Sequence, residues 1–522
     1  MENKLKKQFA EAKRQKQQWN ETYRGPARLS MPERSDFYEE HTAGERKVDG
    51  NEIYDSIGLT SLDKFVSNVQ SSLIPPQKVW AMLKAGLATD GNLAFMATLQ
   101  ELNHLVFSKI HNSNFDIQAT EFLQDLALGT GAVLIMPDVK RKGVTFKALP
   151  LTQLYLSEGE QGEVGTVFRC FEMPLTSVEE TWPDADIDRE TREMMGSKKI
   201  KLVEVIRKAE ITVPKRGEKG TETVDGYKYE VYKSCFGKKF VERDSRTSPI
   251  IVTRFSKSPG EVYGRGPLLR AYPDLRTINK TKELVLKNAS LAVAGAYTVA
   301  DDGIVNISNI RITPGAIIPV GSNEGSVQGP TIAPLARAGD FDVAQIVLSD
   351  LRRSINETMF ADPLGPIDLP VKTATEVSIR QQELSKRIGS AFGRLQYEFL
   401  NPLIKRVIDI LETLGVIDVS DLEIDGQIAD IEYSSPLALA ENEEKSMKMV
   451  QALGVVRDLF GQEALLMTTD IKKAIENVFT LSGVELEVLN DDAKLQQLMQ
   501  IMTQLAEQRL TGGGQQQQAP NE

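Results

Sequence analysis

Two long helical patterns flank a strand-and-turn insert near the middle of this 522-residue chain, and that layout constrains the fold more than any local motif. Gly264-Arg265-Gly266-Pro267 launches the first pattern, residues 267–293, with Pro267 in the first turn, where a missing N–H is tolerated. At about 1.5 Å per residue this makes a rod of roughly 40 Å. Its cations, Arg270, Arg276, Lys280, Lys282 and Lys287, outnumber Asp274 and Glu283. The insert, residues 295–339, holds strand-like runs at 297–299 with 304–307 and at 310–320, punctuated by Gly315, Gly321, Gly325 and Gly329. The return helix covers 341–360, with Asp340 or Asp342 as its cap. Asp362-Pro363-Leu364-Gly365-Pro366-Ile367-Asp368-Leu369-Pro370 follows, and its prolines and glycine exclude helix and central strand from the connection 361–372. Thr373-Ala374-Thr375-Glu376 has the form of a capping box, opening a third helix that runs to 414. Along it Leu384, Ile388, Phe392, Leu395, Phe399, Leu403 and Val407 recur at helical steps; Pro402 predicts a kink and Gly415 the end.

Upstream, residues 1–24 are charged and helix-prone, and residues 25–50, with Pro26, Pro32, Gly44 and Gly50, read as loop. A helix is predicted over 53–73, where Ile57, Leu59, Leu62, Phe65, Val66, Val69 and Leu73 form an apolar stripe that Pro75 and Pro76 stop. A short strand at 79–83 and amphipathic helices at 92–111 and 115–129 follow. Strands are predicted at 132–136, 144–149, 165–170, 201–206, 227–232 and 250–255, interrupted by a short helix at 177–195. The strands cluster instead of alternating with helices, so the class is α+β, mainly α. Beyond 435 the chain is helical again, near 437–461, 463–478 and 490–510, and the Gly/Gln-rich residues 511–522 have the composition of a disordered tail.

Composition excludes several functions. The length calls for two to four structural regions. No run of about 18 uncharged apolar residues offers a membrane span, and the Lys/Gln-rich start lacks the apolar segment of a secretory signal. Two cysteines, Cys170 and Cys235, indicate a reducing compartment without a disulfide framework, and buried thiols in place of nucleophiles. Three histidines leave little material for a metal site or a triad, so neither cofactor nor metal is expected. The formal net charge of −11, from 62 basic and 73 acidic residues, does not fit a tight duplex binder, though it allows nucleic acid to pass without sticking. Gly129-Thr130-Gly131 lacks the third glycine of a nucleotide loop and precedes a strand, so it reads as a helix-to-strand turn. Asp184-Ala185-Asp186-Ile187-Asp188 has Arg189 and Met195 where a calcium loop needs glycine and glutamate. Arg352-Arg353 and Lys372 read as a solvated face or, alternatively, as phosphate contacts.

Four segments together resemble the portal proteins, or head-to-tail connectors, of short-tailed bacteriophages. They are Tyr54-Asp55-Ser56-Ile57-Gly58-Leu59 through Pro75-Pro76-Gln77-Lys78-Val79-Trp80, then Ala127-Leu128-Gly129-Thr130-Gly131, then Tyr263-Gly264-Arg265-Gly266-Pro267, and Thr373-Ala374-Thr375-Glu376-Val377. The resemblance follows nearly the whole chain in order. It implies a wing (1–264), stem helices (265–294 and 340–360), a clip between them (295–339), a tunnel loop (361–372), a long wing helix and return (373–435), a crown (436–510) and the tail (511–522). It implies a ring of twelve copies at one capsid vertex, assembled in the host bacterial cytoplasm, through which double-stranded DNA is packaged and ejected. Implied partners are the terminase motor, a tail adaptor, scaffold and major capsid protein. The tunnel loop would present Asp362 to Pro370 with Lys372, the DNA-facing candidates are Arg352, Arg353 and Lys372, and the clip would dock through Tyr297, Asp301, Asp302, Arg311 and Pro314. No enzymatic activity is expected. A ring-forming adaptor without the channel is the alternative, and an unrecognised nucleic-acid enzyme a third reading.

Overall fold

The computed structural model describes residues 2–34, 52–85, 93–188, 199–214, 220–234, 236–294, 297–299, 332–334, 341–361, 391–417, 429–433, 446, 449–459 and 478. The chain divides into two units, Met1–Glu432 and Tyr433–Glu522.

Helix α1 (Glu2–Ser30) is longer than its charge pattern suggests. Leu5, Phe9, Ala12, Lys16, Tyr23 and Ala27 are buried on one stripe. The helix runs through Pro26, where the sequence predicts loop. An interior proline costs about 3 kcal/mol, and burial of Tyr23, Ala27 and Met31 around it offsets that cost. Helix α2 (Ile57–Leu73) buries Leu62, Phe65, Val66, Val69 and Leu73 as expected. It begins four residues late, because the Asp55 carboxylate accepts the Ile57 N–H at 3.0 Å and holds the preceding backbone in a turn. Strand β1 (Ala81–Ala85) and helices α3 (Leu93–His111) and α4 (Phe115–Leu128) follow.

Two antiparallel sheets carry the strand-rich region. The first has the order β3-β2-β9, from β2 (Thr130–Asp138), β3 (Gly143–Leu149) and β9 (Ile250–Arg254). The second has the order β4-β5-β6-β7-β8, from β4 (Leu154–Glu158), β5 (Val164–Pro174), β6 (Lys199–Pro214), β7 (Thr221–Lys233) and β8 (Lys239–Ser245). Two of these strands, β4 and β8, carry no clear sequence signal, being short and half polar. Helix α1 lays Leu5, Phe9 and Ala12 on Phe168, Val203, Val205 and Tyr232 of the second sheet and on Phe236 of the β7–β8 connection. The predicted helix 177–195 is one short element, α5 (Leu175–Thr181), ending before Trp182-Pro183, with 189–195 outside the described residues.

The two long rods form as the apolar spacing requires: α6 (Pro267–Ala294) and α7 (Phe341–Thr358). Asp342 lies inside α7 and is not its cap, while Asp340 lies outside the described residues. Of the insert, β10 (Tyr297–Val299) and β11 (Ile332–Pro334) are described, paired antiparallel with Tyr297 opposite Pro334. The strand partner of 297–299 is thus a segment to which the sequence assigned no strand; runs 304–307 and 310–320 lie outside the described residues.

The third helix is described from 391. Residues 391–395 lead into a π-helical turn, Gln396–Leu400, and then α8 (Asn401–Thr413). The sequence predicts a kink at Pro402, and the π-helical turn ends two residues before it. Pro402 has no N–H for the Glu398 carbonyl four residues back, and the Thr253 hydroxyl donates to that carbonyl instead, at 3.4 Å. The end at Gly415 forms as expected: its φ is +64°, its N–H reaches Glu412 O, and Val416 N–H reaches Leu411 O, the two bonds of a Schellman cap. A Cβ there meets nothing within 4 Å. Gly415→Ala therefore carries only the left-handed backbone penalty, about 1 kcal/mol, readable as a small drop in the urea midpoint.

In the second unit residues 449–459 are helical, within the predicted 437–461, and expose Val450, Val455 and Leu459.

Candidate functional site: a helix pair and the joint that launches it

Two glycine motifs far apart in sequence meet at the start of α6. Gly266 N–H donates to Leu128 O at 2.9 Å, Gly264 N–H to the Thr130 hydroxyl at 2.8 Å, and Phe255 N–H to Gly129 O at 2.9 Å. The backbones touch so closely that a Cβ on Gly129 would stand 2.1 Å from Gly264 O, and one on Gly266 2.0 Å from Ala127 O. Gly129 also has φ +148°, so glycine is required there for conformation and for space. Gly129-Thr130-Gly131 is the helix-to-strand turn expected, and it is a packing joint.

Tyrosines brace this joint. Tyr23 of α1 donates its hydroxyl to Gly264 O at 2.7 Å. Burial pushes its pKa far above the usual phenol range, so it stays a donor at physiological pH. The buried Tyr263 hydroxyl accepts Leu156 N–H at 3.1 Å. The Lys16 ammonium lies 4.8 Å from the Tyr263 ring centre, within cation–π range.

Beyond the joint α6 and α7 pack together and lead into the β10–β11 pair. Ser354 of α7 donates to Asp274 of α6 at 2.8 Å. A strap formed by residues 52–56 ties the two helices together. Asn279 of α6 accepts Tyr54 N–H at 2.7 Å and Asp55 N–H at 3.2 Å, and donates to Glu52 O at 2.8 Å. Asp55 then accepts Arg352 of α7 at 2.6 Å. Ser61 of α2 reaches Asn356 at 2.9 Å, and Asn68 of α2 reaches Phe360 O at 2.9 Å.

A second anchor fixes the long helix. Arg254, 2% exposed, contacts Glu398 of the π-turn through Nη2 at 2.7 Å and Nε at 3.2 Å, and its own N–H reaches the same carboxylate at 2.9 Å. The Arg254 guanidinium also donates to Gly162 O and Val262 O, and Arg394 adds a 3.0 Å contact to Glu398. Beside Glu398, Phe399 stacks on Phe122 of α4 at 4.5 Å.

Of the residues singled out from sequence, Arg352 is ion-paired with Asp55, whereas Arg353 is exposed and makes no ion pair among the described residues. On α6, Lys280 and Lys287 both bind Glu283, whose pKa the Lys287 and Lys280 hydrogen bonds hold below the usual range. Arg276 is exposed, with no ion pair among the described residues. Tyr297 lies on β10. Asp301, Asp302, Arg311, Pro314, Asp362 to Pro370 and Lys372 lie outside the described residues. Asp184, Asp186 and Asp188 sit against separate bases, Arg243, Lys238 and Lys233. Cys170 is a half-buried cysteine on β5 outside any disulfide, and Cys235 lies outside the described residues. Sequence reasoning missed Asp55, Asn279 and the Arg254–Glu398 pair as structural partners, since no local pattern marks pairs so distant in the chain.

The polar groups of the joint and strap are committed to backbone and to one another, the build of a rigid scaffold holding two rods. The chain belongs to the bacteriophage head to tail connecting protein family, whose profile matches residues 2–489. It is 19% identical over 499 residues to the probable portal protein of Bordetella phage BPP-1, covering 93% of this chain and 84% of that protein. To the portal protein of Salmonella phage epsilon15 it is 23% identical over 384 residues, covering 70% and 67%. A chain of the solved structure titled "Neck of empty GTA particle computed with C6 symmetry" aligns over 87% of this chain and 99% of its own, at 12% identity and a TM-score of 0.36.

Proposed function

We propose that this chain is a portal subunit, twelve copies of which form a ring at one capsid vertex, with double-stranded DNA passing through the bore. The supporting observation is the clamped α6–α7 pair within a chain matching the connector family over 2–489. In this reading residues 1–264 are the wing, α6 and α7 (within 265–294 and 340–360) the stem, and 295–339, with Tyr297, Asp301, Asp302, Arg311 and Pro314, the clip that docks the terminase motor and later the tail adaptor. Residues 361–372 are the tunnel loop, 373–435 the long wing helix and return, and 436–510 the crown. Scaffold and major capsid protein contact the ring's outside, and the subunit has no catalytic part.

The physical requirement is a wall that guides DNA without holding it. Each phosphate neutralised by a fixed cation adds about 0.9 to the salt slope of binding, so a dense basic lining would arrest the duplex. Arg353, with Lys372 on the loop, supplies the sparse cations, and the net charge of −11 disfavours capture. Head-to-tail contacts must close the ring.

Electron microscopy of the purified protein should show twelve-fold rings with a bore wide enough for duplex DNA; a monomer overturns the reading. Deleting 361–372 should leave rings intact while packaged DNA is lost. Normal packaging by that deletion would point to a ring-forming adaptor without the channel.

A further inference from the structure

We infer that Asp55 is a charge mask: it neutralises Arg352 on the stem so that, of the tandem arginines, only Arg353 meets the phosphates of passing DNA. This rests on the reading of α6 and α7 as the channel wall. The geometry behind it is local and complete. Asp55 is fixed in place by groups other than Arg352: its N–H goes to Asn279, its Oδ1 accepts Ile57 N–H at 3.0 Å, and its side chain is 5% exposed. A carboxylate so placed is a preset acceptor, and Arg352 Nη2 meets its Oδ2 at 2.6 Å. The Arg352 side chain is nonetheless 43% exposed, so the pair sits at the surface with the cation on the outer side. Without Asp55 two adjacent guanidinium groups would stand free on every stem. Around a closed ring that doubling recurs in each subunit, and binding tightness grows with each phosphate neutralised. Asn279 serves as a positioning residue, because its three hydrogen bonds hold the strap that presents Asp55.

The experiment measures binding of a short blunt double-stranded DNA to the assembled full-length protein over a series of NaCl concentrations. Asp55→Asn keeps an oxygen for the Ile57 N–H, so the start of α2 survives while the negative charge goes. Its plot of log K against log salt should steepen by about 0.9 for each newly freed arginine that meets a phosphate. Adding Arg352→Gln to that variant should restore the wild-type slope. An Asp55→Asn slope equal to wild type, beside a reduced slope for Arg353→Gln, overturns the mask while leaving the channel reading intact. No change in Arg353→Gln removes the channel-wall reading and the mask with it. Should Asp55→Asn fail to assemble, Arg352→Gln alone decides: a wild-type slope supports the mask, and a slope lowered as by Arg353→Gln overturns it.

Discussion

Gly129→Ala should prevent the strand-rich region from folding around the root of α6. The new Cβ would stand 2.1 Å from Gly264 O and 2.5 Å from its carbonyl carbon. Both are backbone atoms, so no rotamer change can relieve the clash. The residue also sits at φ +148°, where a side chain adds about 1–3 kcal/mol of backbone strain. Forced repacking adds about as much again, giving a total of about 2–6 kcal/mol against a usual stability of about 5–15 kcal/mol. The expected result is loss of soluble protein, or a large fall in the urea midpoint followed by tryptophan fluorescence. Trp19 is a suitable reporter, since its ring lies 5.3 Å from Tyr23 and 5.9 Å from Tyr263 at the joint. Gly260→Ala is the matched control: φ is +81° but a Cβ meets nothing within 4 Å, so only about 1 kcal/mol is expected. Equal effects for the two variants would show that the close approach of the two motifs does not matter.

Arg254→Met should cost about 3–5 kcal/mol, the range for breaking a buried pair from one side. It leaves the Glu398 carboxylate, itself 10% exposed, with Arg394 as its remaining cation among the described residues, and strips donors from Gly162 O and Val262 O. Glu398→Leu alone should fall in a similar range, since it leaves a guanidinium in the same buried place. Combining Arg254→Met with Glu398→Leu should recover part of the loss, because apolar groups of similar size avoid the unpaired charge. The coupling from that cycle should exceed about 1 kcal/mol, measured by urea unfolding of the first unit's transition. Strict additivity would mean that the pair does not anchor the long helix.

Much of the framework was legible because it is built from local periodicity. The apolar stripes of α2 and of the long helix, the stop at Pro75-Pro76 and the cap at Gly415 all act within one or two turns. The launch of α6 at Pro267 was legible for the same reason. Helix α1 was only half visible, since its inward stripe includes Lys16 and Tyr23, which a hydropathy pattern counts as polar. Their burial depends on aromatic faces and a backbone carbonyl contributed by residues 263–264. The π-turn before Pro402 was not legible, because its form depends on Thr253 and Arg254 arriving from β9.

The candidate site divides in the same way. Arg352-Arg353 stood out as a pair of equals, yet Asp55, 297 residues earlier, takes one of them and leaves the other exposed. By itself the amino-acid order determined which segments become rods, where they stop, and that a strand-bearing insert separates two of them. Tertiary structure alone decided which charges cancel, which glycines touch and how the rods are held together. The reason is that helical periodicity acts over a few residues, whereas ion pairs and backbone contacts form only after folding has brought distant residues within a few ångströms.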